Sequence, residues 1–176
     1  DLETTKKEFE RYIDDFEDIS TNVDVKNNIP VNNKVFIVHG HDGELKEKVA
    51  RRLEQQGIEA IILSEQANRG RTIIEKIEAY SDVHVAIALF TQDDIGVVKE
   101  EKGNEKYRAR QNVVFEAGYF MGYLGRANVI MIAEENLEIP GDLSGMVYTT
   151  KDNWEFEMLK ELKAAGMKID MNKLIG

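Results

Sequence analysis

The segment Val38-His39-Gly40-His41-Asp42-Gly43 places two imidazoles and a carboxylate almost side by side. Histidines two positions apart can face one metal ion where the backbone is extended or turning. The remaining histidine, His84, stands at the start of an apolar run that reads as a strand, which puts it at the opposite end of a sheet from Asp42. Completing a zinc site would then fall to carboxylates alone, an uncommon donor set for zinc catalysis, so no metal is expected. Two other readings fit the stretch. In one, His39 ends a strand, Gly40 and Gly43 permit a tight turn, and Asp42 caps a helix opening at Glu44. In the other, that turn and the helix N-terminus form a floor for a ribose or a phosphate. The second is favoured, with capping by Asp42 expected in either case.

A second candidate lies in QNVVFEAGYFMGYLG, Gln111 to Gly125, where Glu116 is the only charged side chain. Burying a carboxylate without a partner costs several kcal/mol or raises its pKa. A lone glutamate in an apolar helix therefore serves an ion pair, for which Arg71 and Arg110 are candidates, or it serves chemistry. From these residues alone both readings stand. At helical spacing Asn112, Tyr119 and Tyr123 share the face of Glu116. Gly118 and Gly122 are expected to let another face of the helix approach a sheet closely.

The elements that must position these groups follow from apolar periodicity. In residues 1–20, Leu2, Phe9, Tyr12, Ile13, Phe16 and Ile19 form one stripe of an amphipathic helix. A polar, turn-rich linker follows, with Pro30 near its end, and the boundary is placed so that residues 1–32 are helix and linker and residues 33–176 are the main domain. From Lys34 the pattern alternates. KVFIV, IEAIIL, VHVAIALF and NVIMIA are short apolar runs of the kind buried on both faces of a parallel sheet. Between and after them lie the helical patterns ELKEKVARRLEQQG, RTIIEKIEAY, RQNVVFEAGYFMGYLG and WEFEMLKELKAAG. The fold class is α/β, with a central parallel sheet of flavodoxin-like order flanked by helices on both faces. Such sheets bind ligands at the carboxyl ends of their strands. That rule selects HGHDG, SEQANRGR and TQDDIG as site loops. The polar stretch VVKEEKGNEKYRA, Val97 to Ala109, reads as a long loop, and Trp154 as a core or interface residue.

Bulk properties exclude several functions. A formal charge of -10 opposes binding to phosphate backbones or anionic lipid, so neither nucleic acid nor membrane is an expected partner. The absence of cysteine removes disulfides and thiolate chemistry and fits a cytoplasmic setting. No apolar run approaches the roughly 20 residues that span a bilayer. The chain opens on Asp1 rather than methionine, so a piece of a longer protein is expected.

Taken in order, KVFIVHGHD, GRTIIEKIEAY, FTQDDIG, RARQNVVFEAGYFMGYLGR, IPGDLSG and LKELKAAG resemble the TIR-like domain of bacterial predicted nucleotide-binding proteins found in Pycsar and CBASS antiphage effectors. The likeness runs from about Lys34 to the C-terminus. It implies a TIR fold and hydrolysis of NAD+ to nicotinamide and an ADP-ribose product. It also implies NAD+ as substrate with no further cofactor, a homo-oligomer or filament on activation, and a cyclic-nucleotide signal reaching the domain through an N-terminal region. Carried over by motif, Glu116 is the catalytic glutamate. His39 and Gly40 stand where relatives contact the nucleotide, His41 and Asp42 beside them are counted as substrate-binding candidates, and Gly70 and Arg71 belong to the loop that governs access and assembly. Better-studied animal TIR enzymes carry an aromatic residue where Asn112 stands. Stacking on nicotinamide is accordingly assigned to Phe90, Tyr119 or Tyr123.

The chemistry stands beside the resemblance. Nicotinamide leaves from a cationic pyridinium and needs no proton, so a single carboxylate can serve the oxocarbenium-like transition state. Arg71 or Arg110 can meet the diphosphate or be an ordinary surface arginine, and Asp93 and Asp94 can hold a ribose or shape a turn. The competing functions are a non-enzymatic assembly module, a cyclase or N-glycosyl transferase using the same glutamate, and, last, a phosphoacceptor receiver domain.

Overall fold

The computed structural model of the protein describes residues 32–41, 43–65, 70 and 72–174, with only the backbone described for Glu65, Ile73 and Leu174. The helix expected in residues 1–20 and most of the linker lie outside the described residues, as do Asp42 and Arg71.

The apolar runs form parallel strands. β1 (Lys34–Val38), β2 (Glu59–Ile62), β3 (Val85–Phe90) and β6 (Val129–Ala133) join β8 (Val147–Thr149) in a five-stranded sheet of order β2-β1-β3-β6-β8. This is the expected flavodoxin-like order, with every pairing parallel. Period-two alternation sorts each strand between two cores. Val35 and Ile37 of β1, with Val85, Ile87 and Leu89 of β3, face α1 (Glu44–Gln55) and α4 (Trp154–Ala164). Phe36 turns the other way and meets Phe120 of α3 (Gln111–Leu124), ring centroids 4.6 Å apart. Trp154 is a core residue.

α3 buries Val113, Ala117, Phe120 and Leu124, one stripe at helical spacing, and packs on β1, β3 and β6. Gly118 and Gly122 are not the reason it fits. Both are solvent-exposed, and a Cβ on either would meet nothing within 4 Å. The small residues on the packed side are Ala117 of the helix and Ala86 and Ala88 of β3, all fully buried.

Termination and capping follow local rules. Gly57 takes a left-handed φ of 74° as α1 ends. α2 (Ile73–Tyr80) opens with a capping box: Thr72 Oγ1 accepts from the Glu75 amide at 3.3 Å, and Glu75 Oε2 accepts from the Thr72 amide at 2.7 Å. The N-cap position of α1 is Gly43, which has no side chain to cap with.

Three further strands escaped sequence reading. β4 (Asp94–Gly96), β5 (Lys106–Arg108) and β7 (Leu137–Glu138) form a small second sheet, β4 antiparallel and β7 parallel to β5. The polar stretch 97–109 is therefore not one long loop, because its last part is strand β5. Segments of two or three residues are too short to display alternation, and the same holds for β8. His84 lies at the amino end of β3, as expected, where its Nε2–H donates to the Ala165 carbonyl at 2.6 Å.

Candidate active site

Four described segments meet at the carboxyl end of the sheet beside β1. They are the residues following β1, those following β2, the first turn of α2 and the first turns of α3. Together they enclose a cavity of about 250 Å³ lined by His39, Gly40, Ser64, Lys76, Arg110, Asn112 and Glu116, with Ile37 and Leu63 as its apolar walls.

Glu116 is the carboxylate of this cavity. It stands one turn after Asn112 on a flank of α3, partly buried, and makes no hydrogen bond or ion pair among the described residues. Burial raises its pKa from 4.5 to about 7, against a smaller opposing pull from the Arg110 charge. The candidate pairing with Arg110 is thus an electrostatic neighbourhood and not a closed salt bridge; Arg71 lies outside the described residues.

The cations are placed against the local field. Arg110 occupies the N-cap position of α3 and Lys76 sits in the first turn of α2, where a helix dipole opposes positive charge. Lys76 Nζ donates to the Leu63 carbonyl at 3.1 Å, which holds its amine beside the cavity. Two helix N-termini and two cations thus converge near one carboxylate, and that combination suits a ligand with a phosphate at one end and positive charge at the other.

The end of β1 is fixed by two contacts. The His39 ring donates from Nδ1 to the Gly40 carbonyl at 2.8 Å and approaches Ser64 Oγ at 3.2 Å through Nε2, bridging the ends of β1 and β2. Asp93 reaches across from the end of β3, accepting from the His41 amide at 2.8 Å and from Thr91 Oγ1 at 2.7 Å. Gly40 is what admits it, since a Cβ there would lie 1.8 Å from Asp93 Oδ2. Asp93 is therefore committed to shaping the turn.

The structure brings together His39, Gly40, Arg110, Asn112 and Glu116 from the sequence candidates. Other described candidates lie elsewhere, while Asp42 and Arg71 are outside the described residues. His41 is exposed, and its backbone serves Asp93. Gly70 is an exposed turn residue with φ 70°. Phe90 is fully buried behind a different cavity. Tyr119 stacks on Tyr123, centroids 5.8 Å apart, and its edge contact is with Phe120. None of these three aromatic rings lines the Glu116 cavity.

Lys76 was missed by sequence reading, and Ser64 was reached only as the first residue of the selected SEQANRGR loop. For Lys76 a signal existed, because a cation in the first turn of a helix runs against its dipole. Among the described residues no group of three or more His, Asp or Glu side chains is placed to hold a metal, and no helix is long and apolar enough to cross a membrane.

Comparison with known proteins adds the following. A profile of the TIR domain of CAP12/Pycsar effector proteins matches residues 34–153. The uncharacterised protein YuaY of Escherichia coli K12 is 47% identical over 150 residues, which cover 83% of this chain and 50% of that protein. Protein tirC of Dictyostelium discoideum is 39% identical over 140 residues, covering 74% of this chain and 68% of its own length. The Pycsar effector protein BcPycTIR of Burkholderia cepacia is 38% identical over 77 residues, 40% of this chain and 24% of that protein. The chain thus spans about half of YuaY and a smaller share of the Pycsar effector.

Proposed function

Because the chain belongs to the TIR-domain family of CAP12/Pycsar effector proteins, we propose that it is an NAD+ glycohydrolase that releases nicotinamide, acting as an antiphage effector that depletes NAD+ after signal-induced assembly. The observation that supports this reading is Glu116: a carboxylate with raised proton affinity that makes no ion pair among the described residues, inside a cavity whose lining includes the cations Lys76 and Arg110.

The bond between ribose C1′ and the pyridinium nitrogen breaks with its electron pair going to the ring, so nicotinamide leaves neutral. Glu116 faces the positive charge that develops at C1′ and the ring oxygen. Bound pyridinium favours the ionised carboxylate and so lowers the pKa of Glu116 from its resting value near 7. Water then attacks C1′, its proton passing to Glu116, and ADP-ribose is the product. Arg110 and Lys76 hold the diphosphate, while Asn112, one turn from Glu116, meets a ribose hydroxyl. Activation, through assembly driven by a cyclic-nucleotide signal read elsewhere in the full protein, belongs to the same proposal.

The test is nicotinamide release from NAD+ by concentrated protein, with Glu116→Gln alongside and chromatography of the second product. Release that the substitution abolishes, with linear ADP-ribose as product, is the expected result. A cyclic product would redirect the reading to a cyclase. Absence of release from the assembled full-length protein would overturn it in favour of a signalling scaffold.

A further inference from the structure

The contact between His39 and Ser64 in the Glu116 cavity is the end of a longer chain of hydrogen bonds. A carbonyl oxygen only accepts, so His39 Nδ1, 2.8 Å from the Gly40 carbonyl, carries the proton. In the neutral ring Nε2 is then the acceptor, and the Ser64 hydroxyl, 3.2 Å away, donates to it. The Gly40 carbonyl belongs to the same peptide unit as the His41 amide, which donates to Asp93 Oδ1 at 2.8 Å. Thr91 Oγ1 donates to the other oxygen of that carboxylate at 2.7 Å.

Every donor from Ser64 to Asp93 therefore points the same way, toward the carboxylate. Hydrogen bonds in such a series polarise one another. Asp93 draws on the His41 N–H, the peptide carbonyl becomes a stronger acceptor for His39 Nδ1–H, and Nε2 gains basicity toward the Ser64 hydroxyl. The arrangement is that of a nucleophile, a base and a group that orients the base, with one peptide unit interposed between base and carboxylate. The nucleophile is held as well. Ser64 lies in the 3₁₀ turn Leu63–Glu65 after β2, and the Leu63 carbonyl, in the peptide joined to Ser64, accepts from Lys76 Nζ at 3.1 Å. Ser64 is exposed and lines the same cavity, about 250 Å³, as Glu116.

We propose that Ser64 is a covalent modification site: its Oγ takes the ADP-ribosyl group from NAD+ in competition with water, with His39 as base and Asp93 as a positioning residue. The assignment rests on the proposed hydrolase function and adds a second fate for the same sugar cation. The bond between C1′ and the pyridinium nitrogen breaks with its electron pair going to nicotinamide. An Oγ lone pair forms the C1′–Oγ bond, the hydroxyl proton passes to His39 Nε2 and from there to water, and nothing is oxidised or reduced. The attached ADP-ribosyl group then occupies the cavity, so each transfer ends turnover in that chain and the protein limits its own consumption of NAD+.

The experiment incubates the full-length protein with NAD+, following nicotinamide by chromatography and the protein by intact-mass and peptide mass spectrometry. The quantity read is the amount of ADP-ribosylated Ser64 per nicotinamide released, a ratio that does not depend on the overall rate. One group at Ser64 is expected, absent from Ser64→Ala and restored in part by Ser64→Thr. His39→Ala and Asp93→Asn should each lower the ratio at least tenfold. Asparagine can keep both hydrogen bonds of Asp93, because the Thr91 hydroxyl can rotate to accept, so this variant removes the charge and leaves the fastening in place. Nicotinamide release with no adduct at Ser64, or with adducts only elsewhere on the chain, would leave the hydrolase standing and overturn the proposal. A Ser64 adduct whose ratio neither His39→Ala nor Asp93→Asn changes would overturn it too, since the serine would then be exposed and not activated. No nicotinamide release at all would remove the hydrolase reading and this acceptor together.

Discussion

Glu116 should make the protein less stable above neutral pH, and its removal should show this quantitatively. In the unfolded chain the carboxyl titrates near 4.5, and in the folded chain near 7. Below pH 4.5 both states hold the proton and the group is neutral in its effect. Between the two values the unfolded state has lost its proton and the folded state has kept it, so stability falls with rising pH and levels off above about 7. At 1.36 kcal/mol per pK unit, the rise from 4.5 to about 7 corresponds to about 3 kcal/mol. The side chain is only partly buried and water screens it, which reduces the expectation to about 2 kcal/mol. Glu116→Gln keeps the shape and cannot ionise. It should match the wild type near pH 4.5 and exceed it by about 2 kcal/mol at pH 8, with about 1.5 kcal/mol of the gain developing between pH 5 and 8. Urea unfolding of both proteins across that range measures the difference directly, and the titrations shared by both proteins cancel. A substitution that destabilises equally at all pH values would refute the argument, since it would mean that the ionised carboxylate is satisfied in the folded state.

Three other outcomes follow from the geometry. On the proposed function, kcat/KM for NAD+ should fall about tenfold per pH unit below about 7, as the free enzyme's Glu116 takes up its proton; a profile flat from pH 5 to 8 would remove it as the required base form. Gly40→Ala drives a Cβ into the Asp93 carboxylate and breaks its two hydrogen bonds, with an expected loss of roughly 2–4 kcal/mol by denaturant unfolding. Combined with Asp93→Ala, the pair should cost little more than Asp93→Ala alone, and simple additivity would contradict the contact. Thr72→Ala removes half of the capping box that starts α2 and should cost about 1 kcal/mol, whereas Thr72→Ser should restore most of it.

The large features were legible because they are periodic. Four apolar runs and four helical patterns gave the sheet, its order and the end at which a site would lie, since strands buried on both faces and helices buried along one stripe both write their period into the sequence. β4, β5, β7 and β8 were not legible, as two or three residues cannot show a period and their pairing depends on partners distant in the chain. Glu116 was legible as a lone charge in an apolar helix, and its raised pKa follows from the same fact. The aromatic assignments failed to reach the cavity for a geometric reason. Phe90 is fully buried at the carboxyl end of β3 and borders a different cavity, and Tyr119 stacks on Tyr123, so chemical suitability for a nicotinamide ring said nothing about direction.

Direction is also what distinguishes the two cations. Surface lysines and arginines are common, and neither Lys76 nor Arg110 is unusual by composition. Each is unusual by position, because a helix N-terminus already carries partial positive charge and a second positive charge there is unfavourable unless something negative answers it. For Lys76 part of the answer is the Leu63 carbonyl, and for Arg110 it is the neighbouring Glu116. For Arg110 the answer is not a full counter-charge, since Glu116 with a pKa near 7 is only partly ionised at neutral pH. Two cations thus border the cavity within a chain whose formal charge is -10, and their placement against both the helix dipoles and the overall charge is the pattern a diphosphate would relieve. Lys76→Met and Arg110→Met should accordingly weaken ADP-ribose binding by tenfold or more in calorimetry, and Arg110→Met should leave the fold as stable or slightly more stable. Unchanged binding in both variants, or a marked loss of stability in Arg110→Met, would overturn the assignment.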